Sequence, residues 1–90
     1  MSMVFRIERL VGEKGVVVLR VSGRIDAEHV DTLMKLLKQE EGKVALDLRE
    51  VTLINREAVR FLAFSEANGV ELRNCADYIT EWIAGERRRK

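Results

Sequence analysis

The chain has no proline, one cysteine and one histidine among its 90 residues. A single thiol forms no internal disulfide, and with a single imidazole it falls short of a recognisable metal-ligand set. A redox or zinc role therefore does not fit, and Cys75 is expected to be a small, soft core residue near the start of a helix. Aromatic residues make up only 6% of the chain, too few to build the stacking platforms of a single-strand nucleic-acid binder; Tyr78 and Trp82 have the spacing of a core stripe. Charge of one sign is also missing: 16 basic residues against 15 acidic leave a formal +1, so no overall field selects nucleic acid or an anionic membrane. Charges interrupt the stretch from Met1 to Glu13 too often for a signal peptide or a membrane span, which makes the cytoplasm the expected location. The glycines at 12, 15, 23, 42, 69 and 85 are scattered rather than gathered into a phosphate-binding loop.

What remains is an ordinary globular composition, 47% hydrophobic and 34% charged, in a chain long enough for one domain and one core. Val4 to Val11 alternates as a strand does. A turn over Gly12 to Gly15 leads into the β-branched run Val16 to Val21, so the two are expected to form a hairpin. Ser22 to Ile25 leaves that strand, and Asp26 is placed to cap a helix in which Val30, Leu33, Met34 and Leu37 recur at helical spacing and which Gly42 ends. Lys43 to Arg49 alternates again, with Val44, Leu46 and Leu48 on one face and Asp47 and Arg49 on the other. After a connection over Glu50 to Ile54, Asn55 caps a second helix that stops at Asn68-Gly69. Val70 to Leu72 is a short strand. A last helix begins near Ala76, carries the stripe Tyr78, Ile79, Trp82 and Ile83, and closes at Gly85. The expected class is α/β in the order β-β-α-β-α-β-α: a single domain with a mixed, mostly parallel sheet, an antiparallel N-terminal hairpin and about three packed helices. The domain is expected to span 1–86, with 87–90 as a disordered basic tail.

Catalytic constellations are lacking. Ser22 and Ser65 have no assignable base, and Asp26, Glu28 and His29 at the start of the first helix are explained by capping. The expectation is a non-enzyme without metal or cofactor.

Several short segments together resemble the STAS domain, the anti-sigma-factor antagonist family. They are Gly23-Arg24-Ile25-Asp26 entering the first helix, and Ala45-Leu46-Asp47-Leu48 followed by Val51-Thr52-Leu53-Ile54, within the same order of elements; the likeness runs from about Val4 to Ile83. In that family an apolar pair after the third strand is followed by Asp-Ser-Ser-Gly or Asp-Ser-Thr-Gly, whose second hydroxyl residue an anti-sigma kinase phosphorylates. Here the stretch reads Leu53-Ile54-Asn55-Arg56-Glu57-Ala58. Glu57 thus occupies the phosphorylation-equivalent position, Asn55 replaces the aspartate and Ala58 the glycine. A helix N-terminus favours a carboxylate as it does a phosphate. One carboxylate charge is a partial and permanent imitation of the roughly 1.5 to 2 charges of phosphoserine. An acidic residue in a first helical turn is also common without any such role.

The second helix, plotted at about 100° per residue, places Leu62 at the centre of its apolar side with Ala58 and Val59 beside it. Phe64 falls on the opposite side with Arg56, Glu57 and Arg60, like an anchor within a charged rim, and is expected to be at least partly exposed. The resemblance brings the Ser22 to Asp26 segment next to that helix start, adding Arg24 and Asp26 to the expected partner face. It implies a cytoplasmic signalling module that binds an anti-sigma factor or a related signalling protein. The alternative is a STAS-like small-ligand or nucleotide sensor, or an accessory subunit of a transport complex. Trp82 and Ile83 leave open whether the last helix covers the sheet or meets a second copy in a homodimer.

Overall fold

The structure, a computed structural model, describes residues 5–88. β1 (Arg6–Val11) and β2 (Val17–Ile25) form an antiparallel hairpin around a 3-10 turn at Glu13–Gly15, where Lys14 and Gly15 take positive φ of 62° and 77°. α1 (Ala27–Gln39) crosses from β2 to β3 (Val44–Ile54), and α2 (Arg56–Ala67) crosses from β3 to β4 (Glu71–Arg73); both strand pairs are parallel. α3 (Asp77–Arg88) follows. The strands lie side by side in chain order, β1-β2-β3-β4. Crossovers between parallel strands are right-handed almost without exception, and two that step in the same direction along the sheet lay both helices on the same face.

One core results. Leu19, Val21, Leu46 and Leu48 of the sheet are 2% exposed or less, and Leu33 of α1, Val59 and Leu62 of α2 and Ile79 of α3 close over them. Burial of one such side chain contributes about 1.5 to 3 kcal/mol, far more than any surface pair in the molecule. α1 is held at its other end by Arg9, which grips Glu40 with two hydrogen bonds of 2.8 and 3.1 Å. At its start, Asp26 takes the N-cap position and His29 Nδ1 accepts the Asp26 N–H at 3.0 Å, while the His29 ring stacks on Phe5 at 4.0 Å. The lone histidine is thus occupied in capping the start of α1. Cys75 is half-buried against the core just before α3.

α1 stops at Gln39, short of Gly42, and β4 is shifted one residue along, to Glu71–Arg73; three boundaries differ more widely from the sequence expectation. β2 does not end at Val21 but runs to Ile25, through two register shifts and a Gly23 at φ +87°, a conformation that strains any residue with a Cβ. β3 does not stop at Arg49. Pairing with that extension of β2, Gly23 to Val51 and Ile25 to Ile54, carries it to Ile54. α3 passes through Gly85 to Arg88, so Arg87 and Arg88 of the expected tail are helical, and Arg87 reaches Glu66 at 3.1 Å; the remainder of that tail, Arg89 and Lys90, lies outside the described residues. No helix among the described residues is long and apolar enough to cross a membrane.

Candidate functional site

The second helix starts where two strand ends meet. Ile25 and Ile54 are paired, and the Asn55 N–H donates to the Ile25 carbonyl at 3.3 Å. The Asn55 side chain then accepts the Ala58 N–H at 2.9 Å, satisfying one of the helix's unpaired donors. Asn55 therefore caps α2 as expected. The same junction sets Arg24 and Asp26 beside the α2 N-terminus, where they pair with each other at 3.0 Å. Glu57, two residues past the cap, is exposed in the first turn.

The phase of α2 follows the sequence. Ala58, Val59, Phe61, Leu62 and Ser65 are buried, and Phe64 is 61% exposed. It borders an apolar groove of about 220 Å³ between α1 and α2, whose walls include Met34, Leu37, Phe61 and Val70. Gly69, at φ +99°, turns the chain out of the helix, and the Val70 N–H closes the end on the Ser65 carbonyl at 3.0 Å.

Arg56 and Arg60 are not the independent rim charges that the sequence suggests. Both reach the carboxylate of Glu86 on α3, Arg56 Nε to Oε2 at 3.3 Å and Arg60 Nε to Oε1 at 3.4 Å. The structure so divides the expected face into three neighbouring parts: Arg24 with Asp26 at the helix start, Arg56 and Arg60 gathered on Glu86, and Phe64 at the groove. With Gly85 as the expected end of α3, the sequence alone gives Glu86 no place on the helix. The signal was present, since Ile79, Ile83 and Glu86 fall at i, i+4 and i+7 of one stripe. Leu53, 46% exposed beside the α2 start and paired in register with Arg24, was also missed.

A polar node on the sheet itself was half foreseen. Asp47, on the face away from the helices, is only 9% exposed. It accepts the Asn74 amide and the Arg49 N–H, each at 3.0 Å, and lies 3.7 Å from Arg20 Nε. Burial works against its charged form, but the Asn74 amide, the Arg49 N–H and the Arg20 and Arg49 charges outweigh it and hold the carboxyl below the usual aspartate range. Asn74 adopts φ +56° to present its side chain here. Among the described residues no group of three or more His, Cys, Asp or Glu side chains is placed to hold a metal ion.

No family model matches the chain, and no curated protein does. Among solved structures it is similar to an antisigma-factor antagonist, a STAS domain, from Rhodobacter sphaeroides. The TM-score is 0.58 at 16% sequence identity, over 81% of this chain and 92% of that one. Element order, mixed sheet, antiparallel hairpin and this likeness agree, and the fold of the chain is that of a STAS domain.

Proposed function

We propose that the chain is a non-catalytic regulatory module of the cytoplasm that binds a protein partner, an anti-sigma factor or a related signalling protein, in the manner of an anti-sigma-factor antagonist. The observation that carries this reading is Phe64, a 61% exposed aromatic on the helix that contributes most to the core. Exposed aromatic anchors inside charged rims are the usual energetic centres of protein interfaces. Arg56, Glu57 and Arg60 supply the rim, and Arg24 and Asp26 extend it across the strand ends. With Glu57 at the phosphorylation-equivalent position, the module lacks the hydroxyl that a kinase would switch.

The test is direct binding, by calorimetry, to the anti-sigma factors encoded in the source genome. Wild type is expected to bind one of them, and Phe64→Ala to weaken that complex by about tenfold or more while the thermal midpoint stays within a few degrees. With ATP and a kinase-type anti-sigma factor, Glu57→Ser is expected to accept phosphate at position 57 and wild type is not. Absence of binding to every such protein sinks the anti-sigma reading. Binding that ignores Phe64→Ala moves the docking face elsewhere.

A further inference from the structure

Arg56, Arg60 and Phe64 follow one another at intervals of four residues, so they stand in a row along α2, neighbours about 5 to 6 Å apart. The two arginines lean on one carboxylate. Glu86 is only 11% exposed at its side chain, whereas those of Arg56 and Arg60 are 50% and 54% exposed. A guanidinium has five N–H donors, and a contact through Nε uses one, so each arginine keeps donors for a second acceptor. Two guanidiniums sharing one carboxylate leave a single positive charge in excess. The helix turn that carries Glu86 is itself pinned by the pair Arg87–Glu66 at 3.1 Å, which restricts two long side chains before any ligand arrives and lowers the entropy cost of ordering them.

We propose that this row is a docking site for an acidic segment of a protein partner. One partner carboxylate is received between Arg56 and Arg60, and an apolar side chain one helical turn along packs against Phe64. The inference rests on the protein-binding reading above and names the chemistry of the partner. Glu57 already places a negative charge on this face beside the arginines, so the group received there is favoured if it adds little more: a carboxylate adds one charge, whereas a phosphoryl group adds roughly 1.5 to 2. The groove beside Phe64, about 220 Å³, is smaller than the roughly 300 to 1,000 Å³ of small-molecule sites and suits a single side chain.

A phage-displayed library of random short peptides, panned on the full chain, tests this. Enriched peptides are expected to carry Asp or Glu three or four residues from Leu, Ile, Met, Phe or Trp. A synthetic peptide from that pool is expected to lose about tenfold in affinity when its acidic residue becomes the amide. A comparable loss is expected with Arg60→Gln or Phe64→Ala in the protein, with partial recovery in Arg60→Lys. Binding should weaken as salt rises. No enrichment, enrichment without acidic residues, or equal binding to the Arg56→Gln, Arg60→Gln double variant overturns the site. Tighter binding of the peptide with phosphoserine in place of its acidic residue overturns the carboxylate assignment. If the anti-sigma factors fail to bind but acidic peptides dock here, the partner class falls and the site stands; if they bind and the arginine variants leave that binding unchanged, the reverse holds.

Discussion

The two faces of the sheet are built from the same strands and stabilised in opposite ways. On the covered face Leu19, Val21, Leu46 and Leu48 disappear under the helices. On the open face Glu8, Arg20 and Asp47 lie in register across β1, β2 and β3, joined at 3.6 and 3.7 Å, and Arg73 of β4 turns instead to Glu71 at 3.1 Å. Apolar burial is undirected and large, whereas exposed ion pairs are directional and contribute about 0 to 1 kcal/mol each. The open face therefore excludes wrong neighbours more than it stabilises the fold. Asp47 is its exception, because its burial turns each lost hydrogen bond into an unsatisfied group.

That contrast can be broken most severely at Leu46, fully buried at the sheet centre. Leu46→Ala is expected to cost about 2 to 5 kcal/mol in urea unfolding, a large part of the stability of a chain this size. Asp47→Ala comes next, at about 1 to 3 kcal/mol, because the Asn74 amide and the Arg49 N–H lose their acceptor. Its pH dependence sharpens the point. The folded carboxyl is more acidic than the unfolded one, so the unfolded chain takes up the proton first as pH falls. The contribution is complete above the ordinary aspartate value of about 3.9 and is lost as pH falls through the lower folded value. The gap between wild type and Asp47→Ala should hold steady near neutrality and narrow below about pH 4; a gap that widens in acid contradicts this account of the node. Glu8→Ala, on a carboxylate whose side chain is 62% exposed, should stay within about 0.5 kcal/mol of wild type in the same unfolding assay.

The sequence and the structure agree where one element decides its own fate. The alternation at Val44, Leu46 and Leu48, the helical spacing in α1 and the caps Asp26 and Asn55 are local signals, and the structure has them all. Phe64 was legible for the same reason, since helix phase needs no partner. The differences come from contacts distant in the chain. Glu50 to Ile54 has no clean alternation and is strand because the bulged end of β2 pairs with it. Gly85 does not end α3, because Glu86 and Arg87 on the next turn are bound to Arg56, Arg60 and Glu66 of another helix. The arginine pair could be read as exposed charge from sequence, but the carboxylate that organises it could not be assigned without the packing of α3 on α2. Alternation alone puts Asp47 on the correct face, but nothing local connects it to Asn74, 27 residues further on.

The strand order has a consequence for the life of the chain on the ribosome. Because each strand pairs with the one that precedes it, β1-β2-β3-β4, no strand has to wait for a partner synthesised much later. The hairpin can form first and accept β3 and then β4 as each emerges, a vectorial assembly in which the growing edge is always the next to be covered. α3 follows β4 in the chain, so the Glu86 contact that draws Arg56 and Arg60 together is completed only after all four strands of the sheet have been made.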